Sequence, residues 1–131
     1  SYWAKIKSIT VDVLELDEFD WDGILKNVAV SNCSKCYSDR GSYLQRMHLA
    51  CIKQRYVEDE IRIVQAPVNV LFSRSVGTAK TLFGGLAALE FQDDDFLVLQ
   101  LKDQTVIECA HPVRKSQEWL EQLKTKIKEY L

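Results

Sequence analysis

From Ser116 to the end of the chain, apolar residues recur at the spacing of a single helix face. These apolar positions are Trp119, Leu120, Leu123, Ile127, Tyr130 and Leu131. Pro112, shortly before this run, has the fixed φ that a first helical turn accepts. The spacing therefore predicts an amphipathic C-terminal helix, whose apolar face must be buried against another part of the fold.

Short runs of β-branched and aromatic residues precede this helix and are typical of strands. Ile9, Val11 and Val13 alternate with polar neighbours, as in a half-buried strand. We predict a turn-rich connection at residues 75–85, and strands at residues 2–14, 23–31, 42–57, 60–67, 68–74, 86–91, 96–103 and 105–110. We count these eight runs as roughly seven strands, because the runs 60–67 and 68–74 are separated only by a break at Pro67. Such a series followed by one helix indicates an α+β fold, an antiparallel barrel or sandwich with a helix over one end.

Residues 96–127 resemble the end of a pleckstrin-homology (PH) domain. In that family the last two strands form a hairpin, a small residue follows, and the final helix carries a Trp near its middle. Ala110 matches the small residue, Trp119 matches the helical Trp, and Leu123 and Ile127 match positions that pack into the barrel mouth. The resemblance implies a PH-like antiparallel seven-stranded barrel or sandwich, capped by the C-terminal helix.

The length of the chain fits one compact domain, so we expect a single PH-like domain over residues 1–131. Because the sequence begins at Ser1 without a Met, we expect this domain to be part of a larger, multidomain protein. The sequence has no apolar run of membrane-spanning length. We therefore expect a cytoplasmic protein, with recruitment to a membrane as an alternative.

Charge is distributed unevenly along the chain. The formal net charge of −2 argues against a dedicated nucleic-acid binder, because duplex binding needs clustered Lys and Arg. The segment ELDEFDWD predicts an exposed, partner-facing loop with five carboxylates, which belong to Glu15, Asp17, Glu18, Asp20 and Asp22. Such a loop favours another protein as the partner, and selects one with a basic surface.

The resemblance also implies a phosphoinositide-binding alternative, because PH domains hold the lipid headgroup with a basic loop between their first two strands. The ligand-binding candidates for this role are Lys5, Lys7, Lys26, Arg40 and Arg46. The loop itself is acidic in this chain, however, and carboxylates beside a phosphate pocket repel the ligand. Binding of another protein is therefore the preferred prediction.

The cysteines form a C-x2-C pair, followed after eleven residues by H-x2-C. Thiolates with one imidazole suit tetrahedral Zn²⁺, which makes Cys33, Cys36, His48 and Cys51 a candidate zinc site. In an extended segment, however, His48 and Cys51 would point to opposite faces and could not share one ion. The preferred interpretation is buried free thiols, Cys109 among them, in a reducing compartment and without a cofactor.

No catalytic order such as Ser-His-Asp is suggested, so we predict a non-enzymatic adaptor that acts in signalling. Its function would be to recruit its parent protein to a partner protein. The membrane module is the first alternative. The second is an OB-type barrel with a zinc-ribbon insertion that binds single-stranded nucleic acid, with Tyr37, Tyr43 and Phe72 as stacking residues.

Overall fold

The computed structural model of the chain describes residues 1–31, 50, 51, 53–73 and 77–131. Within these residues, five α-helices surround a single four-stranded sheet. The strands are β1 (Val68–Ser73), β2 (Ala88–Gln92), β3 (Phe96–Gln100) and β4 (Thr105–Ala110). The helices are α1 (Tyr2–Leu14), α2 (Trp21–Asn27), α3 (Tyr56–Val64), α4 (Thr78–Phe83) and α5 (Gln117–Tyr130), and a short 3-10 helix spans Pro112–Arg114.

The sheet is open and mixed, with the strand order β1-β4-β3-β2. β1 and β4 are parallel and place Phe72 opposite Cys109, whereas β4 pairs antiparallel with β3, with Ile107 opposite Val98. β2 completes the sheet as an antiparallel edge strand. The predicted seven-stranded PH-like barrel or sandwich is therefore wrong. The hairpin and the Trp-bearing helix that suggested it are present, but they belong to a different architecture.

Helices cover both faces of the sheet, so β3 and β4 are buried on each side. Alternate residues along β3, such as Phe96 and Leu97, point into different cores. On one face, β3 and β4 pack against α1 and α5 through a core that contains Ile9, Phe96, Val98, Ile107, Cys109, Trp119, Leu120, Leu123 and Ile127. On the other face they pack against α3 and α4 through Val57, Leu71, Ala79, Leu82, Phe83, Leu97, Leu99 and Val106.

The C-terminal helix forms as the sequence predicts. The Ser116 hydroxyl caps α5 by accepting a hydrogen bond from the backbone N–H of Trp119 at 3.2 Å. The Trp119 ring is buried and stacks on Phe96, with 5.7 Å between ring centroids. The apolar face of α5 forms much of the core against which α1 packs.

Four of the predicted strands are confirmed as β1 to β4, but the first predicted strand is wrong. Residues 2–14 form α1, which begins where the Ser1 hydroxyl accepts a hydrogen bond from the N–H of Ala4. Ile9 and Val13, four residues apart, both pack against the core of α5 and the sheet. This packing outweighs the strand preference of the β-branched residues in α1.

Two further predicted strands are also helical. Residues 21–27, which overlap the predicted strand at 23–31, form α2 behind the N-cap Asp20. Residues 56–64, which overlap the predicted strand at 60–67, form α3. This helix ends at Gln65 in the left-handed conformation, just before Pro67. Within the predicted turn-rich connection at 75–85, residues 78–83 form α4. Most of the strand predicted at 42–57 lies outside the described residues.

A buried carboxylate joins the sheet to α4. Glu108 of β4 has no solvent exposure, and its oxygens accept hydrogen bonds from the Ser73 hydroxyl and from the backbone N–H groups of Gly77, Thr78 and Ala79, all at 2.8–2.9 Å. These N–H groups begin α4 and have no acceptor within the helix itself. Glu108 therefore supplies, from a neighbouring strand, the cap that α4 lacks locally.

We predict that Glu108→Gln lowers the free energy of unfolding by about 1–3 kcal/mol, because an amide nitrogen then faces a buried N–H donor. Chemical denaturation followed by circular dichroism measures this change. The control is Glu90→Gln on exposed β2, which should change stability by less than about 0.5 kcal/mol. Equal unfolding free energies for the two variants would contradict the capping role.

Candidate functional site

A groove of about 550 Å³ lies between α1, α2 and the residues that follow α2. We call it the α1–α2 groove. Apart from Lys7 and Thr10, the side chains that line it are apolar. The lining residues are Trp3, Ala4, Ile6, Lys7, Thr10, Trp21, Ile24, Leu25, Val28 and Val30.

The walls of the α1–α2 groove are open to solvent. Trp3 is 63% exposed, Trp21 is 55% exposed and Leu25 is 68% exposed, whereas Ile24 is buried. Contiguous exposed apolar surface is uncommon on a soluble domain and marks interaction sites. The groove is therefore a surface feature that a macromolecular partner can cover.

The sequence builds the second wall of the groove from one helix face. Trp21, Ile24, Leu25 and Val28 follow the i, i+3, i+4, i+7 spacing, which places them together when residues 21–27 are helical. The helix begins at Asp20, whose carboxylate accepts a hydrogen bond from the N–H of Gly23 at 2.9 Å. Prediction from sequence missed this face because it assigned the segment to a strand, although the spacing and the Asp cap were both visible.

Lys7 lies inside the groove and contacts an aromatic wall. Its ammonium is 4.4 Å from the centroid of the Trp21 ring and 6.0 Å from that of Phe19. These distances are within the range of a cation–π interaction. Lys7, which was predicted to bind a lipid headgroup, thus connects α1 with α2.

Lys5 holds α1 to the end of the sheet layer. Its ammonium donates hydrogen bonds to the carbonyl oxygens of Pro112 at 2.7 Å, Val113 at 3.2 Å and Lys115 at 2.9 Å. An ammonium has three donors, and all three are used here. Lys5 was also predicted to bind a lipid headgroup, but the structure gives it a structural role.

The remaining basic candidates do not complete a headgroup site in the described residues. Lys26 lies exposed in the last turn of α2, and Arg40 and Arg46 lie outside the described residues. Lys5 and Lys7 make their contacts with different parts of the protein, the first with residues 112–115 and the second with Trp21. The structure therefore does not bring the described candidates together.

A buried lysine anchors the other end of α1. Lys124 of α5 is buried and donates hydrogen bonds to Asp12 of α1 and, at 2.9 Å, to Glu121. Burial lowers the pKa of Lys124, but the two carboxylates raise it more, so its pKa lies above 10.5. In return, the hydrogen bond from Lys124 lowers the pKa of Glu121 below 4.5.

The acidic rim consists of Glu15, Asp17, Glu18, Asp20 and Asp22, all of which are exposed. None of the five lines the groove itself, but residues 15–20 join the two helices that form its walls, and Asp20 and Asp22 adjoin the lining residue Trp21. The rim therefore lies next to the groove at the start of α2. Their exposure agrees with the sequence, although Asp22 lies in α2 rather than in a loop. That the rim faces a partner remains a prediction.

The candidate zinc ligands are only partly described. Cys33, Cys36 and His48 lie outside the described residues. Cys51 is buried and takes part in a disulfide, so its sulfur is not a free thiolate, and the prediction of a free thiol is wrong for this residue. Among the described residues, no group of His, Cys, Asp or Glu side chains could hold a metal ion.

Cys109 is a free, buried thiol in the core beneath α5. Burial, with a further contribution from the charge of Glu108, raises its pKa to about 12. A thiol with so high a pKa is almost entirely protonated at neutral pH and is a poor nucleophile. The prediction that Cys109 is a buried free thiol, which packs like a small apolar side chain, is confirmed.

Of the three aromatic residues predicted to stack on nucleic acid, Phe72 is the one that lies within the described residues. Tyr37 and Tyr43 lie outside the described residues. Phe72 packs within the protein, 6.3 Å from the Tyr2 ring and 6.0 Å from the His111 ring, measured between centroids. The open mixed sheet also differs from the closed OB-type barrel that this alternative requires.

Comparison of the chain with protein-family models, curated proteins and solved structures finds no match. None of the helices in the described ranges combines the length and the apolar character that crossing a bilayer requires.

The lowered pKa of Glu121 predicts an acid-sensitive contribution to stability. A carboxylate whose pKa falls on folding stabilises the fold above its unfolded pKa, and this contribution is lost as the pH falls through the folded pKa. The difference in free energy of unfolding between the wild type and Glu121→Gln should have its largest value above about pH 4.5 and should decline below it.

Urea denaturation at several pH values measures this difference. The control is Glu90→Gln, at an exposed position that has no described ion pair, whose difference from the wild type should change little with pH. A difference for Glu121→Gln that stays constant from about pH 3 to about pH 7 would contradict the proposed linkage.

Proposed function

We propose that this chain is a protein-interaction module, and that the α1–α2 groove receives the apolar face of a helical segment from a partner protein. The observation that carries the proposal is the exposure of Trp3, Trp21 and Leu25 along one continuous apolar groove. The proposal includes the prediction that the module is non-enzymatic and recruits its parent protein to the partner.

The open walls favour a helix over a small molecule as the occupant. Small-molecule sites enclose most of their ligand, whereas the walls of this groove are more than half exposed at Trp3, Trp21 and Leu25. Two helices with an apolar channel between them can accept a third amphipathic helix, whose residues at i, i+3, i+4 and i+7 fill the channel. Aromatic residues such as Trp21 are well suited to anchor such a contact.

A phosphoinositide-binding function has less support. Lys5 donates to three backbone carbonyls, so its ammonium has no donor left for a phosphate. The acidic rim borders the same groove and repels an anionic headgroup. A cytoplasmic location remains a prediction, and the disulfide at Cys51 removes part of the argument for a reducing compartment.

The test is the binding of a synthetic peptide, measured by fluorescence anisotropy. The peptide has about 18 residues, with Leu on one helix face and Gln on the other faces, so that it carries little charge. We expect Trp21→Ala and Leu25→Ala to weaken its binding by about tenfold or more, because each removes a large contact. The control is Ile63→Ala on α3, an apolar residue that is 78% exposed outside the groove, and it should leave binding unchanged.

Absence of saturable binding, or equal weakening by Ile63→Ala and Trp21→Ala, would overturn the proposal. Phosphoinositide vesicles provide the competing outcome. If the chain bound such vesicles but not the peptide, and if Lys7→Ala and Lys26→Ala abolished this binding, the membrane alternative would replace the protein partner. Circular dichroism of each variant confirms that the fold is retained.

A further inference from the structure

We infer that the partner helix is basic beside its apolar face, and that the acidic rim selects it by charge. This inference rests on the proposed function, because it concerns the same α1–α2 groove. It adds the chemistry of the partner: Lys or Arg residues next to the apolar positions, placed where the helix leaves the groove between the end of α1 and the start of α2.

Negative charge is concentrated at one end of the groove. Residues 15–22 contain five carboxylates and no Lys or Arg, although the formal net charge of the whole chain is only −2. Lys7 lies in the groove and Lys26 lies in the last turn of α2, so the rim carboxylates outnumber the cations on these walls. A concentrated negative rim beside an apolar groove attracts a cationic partner and rejects an anionic one.

Local structure accounts for only part of this charge. Asp20 caps α2, and Asp17 accepts a hydrogen bond from the N–H of Phe19 at 2.9 Å. Asp22 also benefits from its position in the first turn of α2. Glu18 has neither role in the described structure, and its neighbour Phe19 is 78% exposed. An acidic residue beside an uncovered aromatic ring fits a contact in which both are covered by a partner.

The rim also disfavours one kind of partner. A second copy of this chain, docked groove to groove with the two grooves parallel, would bring two acidic rims together. Like charges at an interface are unfavourable and suppress such pairing. The rim therefore disfavours this parallel self-association through the exposed Trp3 and Trp21, while it leaves the groove open to a basic helix.

The experiment compares three peptides with the same Leu face and with Lys, Gln or Glu on the flanking positions. We expect the Lys peptide to bind about tenfold more tightly than the Gln peptide, and the Glu peptide to bind most weakly, because several rim-exposed charge pairs each contribute modestly. Raising the salt concentration from about 50 to about 500 mM should remove most of the difference.

Charge-reversal variants assign the selection to the rim. Glu18→Lys combined with Asp22→Lys should lower the preference for the Lys peptide, and Asp17 and Asp20 are left intact because they hold backbone N–H groups. The matched control combines Asp94→Lys with Asp95→Lys in the exposed turn before β3, which changes the net charge equally but lies outside the groove lining. The control should retain the preference.

The outcomes separate this inference from the proposed function. Suppose that Trp21→Ala weakens the binding of the Gln peptide, but that the wild-type protein binds all three peptides with equal affinity. The groove is then a docking site and the inference about charge is overturned. If Trp21→Ala weakens the binding of none of the peptides, the proposed function and the inference about charge both fail. If the control pair reduces the preference as much as the rim pair, net charge rather than the rim explains it, which also overturns the inference.

Discussion

Two lysines fix α1 against the rest of the protein, and the groove depends on this attachment. Near the start of α1, Lys5 donates hydrogen bonds to carbonyl groups of residues 112–115. Near its end, Asp12 pairs with the buried Lys124 of α5. Ile9, between these contacts, is buried in the core that α5 shares with the sheet. A helix held at both ends and in its middle keeps its remaining face, one wall of the groove, in a constant position.

The second wall depends on the first. α2 has only seven residues, and a helix of this length is not stable alone in water. It is supported by the Asp20 cap, by burial of Ile24 and by the contact between Trp21 and Lys7 of α1. Loosening α1 would therefore remove both walls, and it would also open the core that contains Ile9. The groove is a tertiary feature, built on contacts between residues far apart in the sequence.

The strands β2 to β4 and the helix α5 could be predicted from sequence because their signals are strong and local, but their arrangement in an open mixed sheet could not. β3 and β4 give nearly continuous apolar runs, and α5 repeats its apolar residues along one face. The N-terminal half could not, because α1 is rich in Ile, Val and Thr, and only its packing against α5 and the sheet favours the helix. The groove could not be predicted from sequence for the same reason. Trp3 and Trp21 line one surface only when both segments are helical. Acidity at residues 15–22 was evident from sequence, but its position beside an apolar groove was not.

The three tryptophans allow a direct test of where a partner binds. Trp3 and Trp21 line the groove, whereas Trp119 is buried and stacks on Phe96 in the core that α1 and α5 share with the sheet. Two-dimensional NMR resolves their indole N–H signals during a titration with the Lys-flanked peptide. The account predicts saturable shifts for Trp3 and Trp21, and little change for Trp119. Binding detected by anisotropy that leaves Trp3 and Trp21 unshifted would place the partner elsewhere and contradict the account.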